Sequence, residues 1–450
     1  MTIKLGCIAD DYTGATDLSS MLVREGVRVL QWFGVPDEAC LQTERMHSQL
    51  QEMDAVVIAI KSRSISAANA IRLSLDALSV LQSLGAERFY FKYCSTFDST
   101  DAGNIGPVAE SIANELDVKH VWYCPAFPEN GRTIYCGHLF VGGVPLHESS
   151  MKDHPLNPMH DSNLVRVLQR QCEHPVANIN RHQLYQLDKW SPQESPSHWI
   201  VDCTDDNDLN RATELAINCS FVTGGSAFGG RWGGQLVGRS RIESDSPLAS
   251  PRTMTAILSG SSSLATRKQT VHYEQTGGSV NRLDLSPVIA NGLPLDTLVQ
   301  ETVAWITSLA SADSALVTTA WDLSAVSRLK SIQGDIHAAD LVEQFFARLA
   351  KVLLDSGVRR FVVAGGETSG AVMNALEIKS VRIGKEISPG VPWVHNQGAT
   401  ACSLALKSGN FGADSFFCDA IACLNETRSL TELGSVVTSA EALETAGGSR

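Results

Sequence analysis

Short apolar runs alternate with amphipathic segments along the first half of the chain. The runs are rich in β-branched and aromatic residues and predict buried strands at 3–9, 54–60, 88–94, 119–125, 198–204 and 218–224. Between them, 15–25 and 67–84 repeat apolar residues at helical spacing, and each is followed by a glycine suited to end a helix. Strands that alternate with helices in this way indicate an α/β fold with a mostly parallel sheet.

The periodic pattern stops between 233 and 252, where Gly, Ser and Pro are frequent, as is typical of a linker between domains. After it the pattern resumes, with strands predicted at 253–260, 314–320, 359–366 and 392–398 and an amphipathic helix at 335–357. We therefore predict two α/β domains with mostly parallel sheets, 1–232 and 253–424, joined by the linker 233–252. The Ser/Thr/Glu/Gly-rich tail, 425–450, is expected to be poorly ordered.

Charge and composition disfavour several classes of partner. The chain has 36 basic and 49 acidic residues, a net charge of −13, which argues against nucleic acid or an anionic membrane surface. No apolar run approaches the roughly 18–20 residues of a membrane span, and no secretory signal precedes the first strand. Eleven cysteines without a CxxC pair favour reduced thiols, and hence a cytoplasmic protein, over a disulfide framework or a zinc site.

Acidic side chains follow the first predicted strand in the stretch CIADDYTGATDL. Asp10 and Asp11 lie where that strand ends, which is the edge at which open α/β sheets bind their ligands. A third acid, Asp17, is expected to cap the helix that follows. The adjacent pair is therefore the first candidate for chemistry.

Basic and hydroxyl side chains follow the next strands at corresponding positions. They are Arg63 after the second strand, Lys92, Ser95, Thr96, Asp98, Ser99 and Asn104 after the third, and Asn130, Gly131 and Arg132 after the fourth. Lys92 or Arg132 alone could be an ordinary surface charge, but the group as a whole converges on one edge. Because Arg can hold a carboxylate with two hydrogen bonds, the group predicts a site for a small, hydroxylated, anionic substrate. The later histidines at 138, 147, 154 and 160 fit no standard zinc spacing and are ascribed to loop packing or substrate contact.

Three glycine-rich turns in the second half share one pattern: LSGSSS at 258–263, VVAGGETSGAV at 362–372 and LKSGNFG at 406–412. A strand that ends in glycines before a helix offers backbone N–H groups and a partial positive charge to phosphate. One such turn is common in α/β proteins for structural reasons alone, but three with Ser or Thr favour a nucleotide site. Neither a Walker P-loop nor a Rossmann fingerprint is present.

Taken together, IADDYTGATDL, FKYCSTFDST with GNIGP, PAFPENGRT, AGGETSGAV and LKSGNFG resemble the four-carbon acid sugar kinase family over residues 3–424. The form CSTFDST with GNIGP is most similar to the family's 3-oxo-tetronate branch, although Tyr12 departs from the smaller or aliphatic residue expected there. The resemblance implies an N-terminal acid-sugar domain, a C-terminal ATP domain and an active site in the cleft between them. It places ATP contacts on Ser259, Gly365, Gly366, Glu367, Thr368, Ser369 and Gly409.

The expected function is phosphoryl transfer from ATP, with Mg²⁺, to the C4 hydroxyl of a 3-oxo-tetronate, giving the 4-phosphate and ADP. Asp10 or Asp11 would accept the hydroxyl proton, and Asp11 is preferred because it lies nearer the turn. The metal ligands are left unassigned, and a homodimer is one assembly left open. The alternatives are a D-threonate or D-erythronate 4-kinase, a ligase that activates the carboxylate, and a non-catalytic sugar-acid sensor.

Overall fold

The computed structural model describes residues 3–153, 157–188, 197–238, 254–309, 313–319, 335–396 and 401–424. The chain forms two compact units, Met1–Ser244 with Lys379–Ile383, and Asp245–Ile378 with Gly384–Arg450. Both are α/β, which confirms the predicted fold class. The predicted tail 425–450 and most of the predicted linker, 239–252, lie outside the described residues.

The first unit is built on one parallel sheet. Its strands are β1 Leu5–Ala9, β2 Val29–Phe33, β3 Ala55–Ala59, β4 Arg88–Lys92, β5 Val121–Cys124, β9 Val176–Ile179, β10 His198–Val201 and β11 Phe221–Gly224. They lie in the order β2-β3-β1-β4-β11-β5-β10-β9. A small antiparallel sheet consists of β6 Arg132–Tyr135, β7 His138–Val141 and β8 Val144–Pro145.

Nine helices are described in the first unit. They are α1 Tyr12–Arg24, α2 Glu38–Leu41, α3 Glu44–Gln51, α4 Ala67–Ser83, α5 Ile105–Glu115, α6 Leu164–Gln169, α7 Arg181–Gln186, α8 Asp206–Leu215 and α9 Ser226–Val237. The sequence pattern missed β2, whose central Gln31 is fully buried. Gln31 satisfies its amide with Ser19 Oγ at 2.8 Å and Thr16 Oγ1 at 3.1 Å, so a polar residue is tolerated inside this strand.

The register of the parallel strands decides which side chains meet. Ala9, the last residue of β1, pairs with Ala59 of β3 and with Lys92 of β4. Lys92 in turn pairs with Gly224 of β11. Four strands therefore end at the same level, and the polar residues that follow them lie along one edge of the sheet.

Helix α9 corrects the predicted start of the linker at 233, because it continues to Val237 and ends at Gly238. Its glycines allow it to pack closely on α1. A Cβ on Gly233 would lie 2.3 Å from Leu22 Cδ2, and one on Gly234 would lie 2.6 Å from Glu25 Cβ. The glycines that suggested a flexible linker are thus in a helix, where they make room for a neighbouring helix.

The second unit has a mostly parallel sheet in the order β13-β14-β12-β15-β18-β17. Its elements are β12 Thr255–Ser259, α10 Leu264–Gln275, β13 Ser279–Arg282, α11 Ser286–Asn291, α12 Leu295–Ser308, β14 Ser314–Thr318, α13 Asp335–Asp355, β15 Arg360–Ala364, α14 Gly366–Ala375, β16 Ser380–Ser388, β17 Val391–His395 and β18 Ser403–Lys407, with a further helix at 416–424. None of the helices described in either unit is both long and apolar enough to cross a bilayer.

One short segment of the second half of the chain belongs to the first unit. Ser380–Arg382 pair antiparallel with Leu30–Trp32 of β2. The segment Lys379–Ile383 therefore counts with the first unit, whereas the sequence pattern assigned all of 253–424 to the second domain. The composition of this segment does not indicate that it pairs with β2 of the first unit.

Candidate active site

Helix α1 begins directly after β1, three residues earlier than its apolar periodicity predicts. Asp11 is its N-cap, and its carboxylate accepts hydrogen bonds from the Gly14 backbone N–H at 3.0 Å and from Thr13 Oγ1 at 2.9 Å. The expectation that Asp17 caps this helix is wrong. Asp17 lies inside α1, is buried and accepts a hydrogen bond from Ser226 Oγ on α9. Asp11 occupies the N-cap position of α1, so Asp17, which lies six residues further on, cannot be the N-cap.

Arg63 joins the two adjacent acids. Its Nε and Nη2 donate to the two oxygens of Asp10 at 2.8 and 2.7 Å. The same Nη2 donates to Asp11 Oδ1 at 2.8 Å. Arg63 holds both carboxylates in this structure, and its predicted contact with substrate stays a prediction. Two adjacent ionised acids would repel each other, so a cation shared between them stabilises the pair.

The two carboxyl groups have different electrostatic environments. Burial raises the pKa of Asp10, and Arg63 only partly opposes this effect. Burial also acts against ionisation of Asp11, but Arg63, Lys92 and the hydrogen bonds from Thr13 and Gly14 hold its pKa below the usual value. The Asp11 side chain is 27% exposed and that of Asp10 is 6% exposed. Asp11 is therefore the more accessible and the more readily ionised acid.

Gly14 allows a lysine to approach the first turn of α1. A Cβ at this position would lie 2.2 Å from Asp11 Oδ1 and 2.7 Å from Lys92 Nζ. The carboxylate of Asp11 and the ammonium group of Lys92 are therefore close neighbours beside Gly14. Lys92 is 3% exposed at the end of β4, so its charge acts on Asp11 with little screening by water.

The turn after β4 brings a third acid to the same cation. Asp98 Oδ2 lies 3.7 Å from Arg63 Nη1, and Asp98 Oδ1 accepts a hydrogen bond from Thr96 Oγ1 at 2.6 Å. Phe97 and Asp98 have φ angles of 65° and 32°, a left-handed turn that turns the carboxylate back toward Arg63. Ser95 is half-buried in the same turn. Thus Lys92, Thr96 and Asp98 lie near the acids, as the sequence predicts.

Asn104, predicted among the polar residues that follow the third strand, belongs to this site. Its Nδ2 donates to the carbonyls of Ser62, Arg63 and Ile65 at 2.7, 3.2 and 2.9 Å. These bonds fix the loop that carries Arg63. Its position in the GNIGP motif directly before α5 predicted the edge of the sheet at which it lies, but not that it holds the Arg63 loop.

The predicted residues Asn130, Gly131 and Arg132 form a separate turn. Gly131 is left-handed, with φ of 69°, and Arg132 Nη1 donates to the Asn130 carbonyl. The preceding Glu129 pairs with Arg24 at 2.7 Å. Arg24 lies in the last turn of α1, whereas Asp11 caps the first, and a helix of this length spans about 20 Å. The structure therefore links this turn to the end of α1 away from the carboxylates.

A cavity of about 780 Å³ adjoins the turn after β4. Ser99 and Thr100 line one side, and three of the four noted histidines, His138, His147 and His160, line another. His138 is held by Ser162 Oγ at 2.9 Å and Asn163 Nδ2 at 3.2 Å. The histidines thus face a cavity next to the turn that carries Asp98, in keeping with the substrate-contact alternative.

In the second unit the three glycine turns follow adjacent strands whose ends are aligned. Ser259 of β12 pairs with Ala364 of β15, which pairs with Lys407 of β18. Ser263 caps α10, and its Oγ donates to the Gly409 carbonyl at 2.6 Å, as Thr266 Oγ1 does at 2.8 Å. The first and third turns are therefore bonded to each other.

Lys407 bonds to the start of α10 and to the third glycine turn, and the sequence did not single it out. It is fully buried, and its Nζ donates to Thr266 Oγ1 and to the carbonyls of Ser408 and Gly409, all at 3.0 Å. Burial lowers the pKa of Lys407 to about 7. Sequence could have flagged it only as a lysine at the end of an otherwise apolar strand.

The predicted nucleotide contacts divide by exposure. Gly366 and Glu367 are exposed at the start of α14. Gly365 has a φ of 121°, a backbone conformation that favours glycine. Ser259 and Ser369 are fully buried, so in this conformation neither presents surface to a ligand. Their hydroxyl oxygens have no hydrogen-bond partner among the residues that the structure describes. The turn therefore combines open backbone donors with buried hydroxyls.

Comparison with known proteins defines the class of the two units. Residues 5–231 match the family model described as a sugar-binding N-terminal domain, and residues 256–417 match the one described as a nucleotide-binding C-terminal domain. The protein therefore combines a sugar-binding domain with a nucleotide-binding domain. The chain belongs to the four-carbon acid sugar kinase family.

Relatives match this chain over nearly its whole length. It is 42% identical to the 3-oxo-tetronate kinase of Cupriavidus necator, covering 93% of this chain and 96% of the relative. It is 37% identical to that of Haemophilus influenzae, covering 92% and 98%. Among solved structures, a Salmonella typhimurium LT2 protein has a TM-score of 0.80 at 37% identity, covering 93% of this chain and 99% of that one.

Proposed function

We propose that this protein is an ATP-dependent kinase that phosphorylates the C4 hydroxyl of a 3-oxo-tetronate, giving the 4-phosphate and ADP. The observation that carries the proposal is the carboxylate pair held by Arg63 at the ligand edge of a sugar-binding domain. It is supported by relatives named 3-oxo-tetronate kinase that share about 40% identity.

Asp11 is the proposed general base. Its Oδ1 accepts two hydrogen bonds, but Oδ2 accepts only the one from Thr13 among the bonds described, so Oδ2 has room for a substrate hydroxyl. Because its pKa is below the usual value, the carboxylate is ionised at neutral pH. Asp10, more buried and fully engaged by Arg63, positions the cation. A base of this kind contributes about 10²–10⁴-fold to the rate.

Lys92 is the proposed cation for the charge on the substrate. It lies beside Asp11 at Gly14, and among the contacts of the described residues it has no bidentate pair of the kind that Arg63 makes with Asp10. It can therefore balance the carboxylate of the sugar acid or the negative charge that accumulates during phosphoryl transfer. Arg132 stays a predicted substrate contact.

The glycine turns of the second unit fit a nucleotide. A Cβ on Gly366 would meet nothing within 4 Å, so there is space at the N-terminus of the ten-residue helix α14 for an anionic group. Ser259 and Ser369, both fully buried in this conformation, stay predicted nucleotide contacts. Glu367, exposed in the first turn of α14, offers the oxygen ligand that Mg²⁺ prefers. When bound, Mg²⁺ would neutralise charge on the phosphates of ATP.

Two further expectations belong to the proposal. We place the enzyme in the cytoplasm, in keeping with eleven free cysteines. A homodimer stays a prediction, which light scattering can test.

The decisive assay measures ADP release with Mg-ATP over a panel of threonate, erythronate and their 3-oxo forms. The proposal expects the highest kcat/KM with a 3-oxo form. It also expects a stable phosphomonoester by ³¹P NMR, which distinguishes a kinase from a ligase that makes an acyl phosphate. Folded protein without turnover on any member of the panel would contradict it.

A further inference from the structure

A cluster of potential metal ligands lies away from the candidate active site. Glu110 is in α5, His174 is in the turn between α6 and β9, and His198 is the first residue of β10. In a parallel sheet the first residue of a strand lies at the edge opposite the carboxyl ends, where the carboxylates collect. The kinase reaction proposed above does not use this cluster.

Three donor atoms of the cluster are close to one another. Glu110 Oε1 lies 3.2 Å from His174 Nδ1 and 3.1 Å from His198 Nε2, and all three atoms lie within 4.8 Å of one another. Around an ion with bonds of about 2.0–2.1 Å, neighbouring donor atoms are roughly 3.0–3.4 Å apart. An ion could therefore enter between these side chains with little rearrangement.

Neighbouring groups hold two of the donors in place. Glu110 accepts hydrogen bonds from the backbone N–H groups of Glu173 and His174 at 3.0 and 3.1 Å. The other nitrogen of His198, Nδ1, is 3.0 Å from Tyr123 OH. A second partner of this kind orients a metal-bound imidazole.

One side of the cluster faces solvent. The His198 side chain is 3% exposed and that of Glu110 is 13% exposed, whereas that of His174 is 55% exposed. An ion could therefore enter from the His174 side and keep a water molecule as a further ligand.

We propose that Glu110, His174 and His198 form a binding site for a divalent transition-metal ion of the Zn²⁺ class. Two imidazoles and one carboxylate are typical ligands of such ions, whereas Mg²⁺ prefers oxygen ligands. The ion would connect α5, the turn before β9 and the start of β10. It would thereby stabilise this part of the first unit without taking part in phosphoryl transfer.

Calorimetric titration of chelator-treated protein with ZnCl₂ tests the site. The expected result is one saturable site per chain that persists in excess MgCl₂, together with a Zn²⁺-dependent rise in Tm. His174→Ala should weaken binding at least about tenfold, because it removes one of three ligands. This residue is largely exposed, so the variant should fold.

Two matched variants make the assignment specific. His182→Ala removes another exposed histidine, on α7, and should bind Zn²⁺ like the wild type. Cys172→Ser tests whether a thiol near Glu110 is responsible instead, and it should also retain binding. The proposal is overturned by a wild type without saturable Zn²⁺ binding, which would mean that the three residues form only a hydrogen-bonded group. Binding unaffected by His174→Ala would overturn it as well.

Discussion

Replacing Arg63 with glutamine would remove the cation that allows Asp10 and Asp11 to be ionised side by side. The Arg63 side chain is 20% exposed and donates three hydrogen bonds to the two carboxylates at 2.7–2.8 Å. A charge-assisted bond contributes about 1.5–3 kcal/mol, and removing one partner of a buried ion pair costs about 3–5 kcal/mol in total. We expect a loss of unfolding free energy in that range for Arg63→Gln, measured by urea denaturation.

The same substitution should change the pH dependence of activity. Arg63 lowers the pKa of Asp11, so without it the carboxyl group keeps its proton to a higher pH. As pH falls, the loss of kcat/KM in the ADP-release assay should therefore begin at a higher pH in the variant. This shift distinguishes loss of the cation from a general loss of folded protein.

Two further variants control this experiment. Arg72→Gln removes an exposed arginine that pairs with Asp76 on α4 and should change stability by less than about 0.5 kcal/mol. Arg63→Lys keeps a charge but loses the bidentate geometry, so its effect should lie between those of the wild type and Arg63→Gln. The role assigned to Arg63 is wrong if the free energy of unfolding of Arg63→Gln is within about 1 kcal/mol of that of the wild type and the pH profile of kcat/KM is unchanged.

Three other substitutions test separate contacts. Gly14→Ala would stabilise an ordinary helix by about 1 kcal/mol, but here it should destabilise the protein and lower kcat, because its Cβ would clash with Asp11 and Lys92. Asn104→Ala should cost about 1–3 kcal/mol in urea denaturation and reduce kcat, since the loop that carries Arg63 loses its three bonds. Burial lowers the pKa of Lys407 to about 7. Below that pH the folded protein holds a charged, buried lysine, which lowers the free energy of unfolding, and this loss disappears as pH rises toward the ordinary value of 10.5. From about pH 7 to about pH 9, wild type should therefore gain about 2 kcal/mol of unfolding free energy relative to Lys407→Met, and equal pH dependence would contradict this.

The class of fold and one edge of the site could be predicted because they depend on local patterns. Buried strands such as Leu5–Ala9 are continuous apolar runs, and residues that directly follow parallel strands meet at one edge whatever the details of packing. Asp10, Asp11, Lys92 and Asp98 were found in this way.

The remaining features depend on contacts between segments distant in sequence. Gly233 and Gly234 look like a linker until α1 is known to pack against them, and Gln31 looks unsuited to a strand until Ser19 and Thr16 are placed beside it. Asn104 acts by bonding to backbone carbonyls of the loop that carries Arg63, and Lys407 by bonding to the distant Thr266 Oγ1. Such partners leave no mark in the local pattern of either segment.

The turnover of Asp11→Asn tests the central claim most directly. Asparagine caps a helix about as well as aspartate, so α1 should keep its start and the variant should fold. It cannot accept a proton, so kcat with the best four-carbon acid should fall by about 10²–10⁴-fold while ATP binding is retained. Turnover near that of the wild type, by folded Asp11→Asn protein, would contradict the assignment of Asp11 as the base.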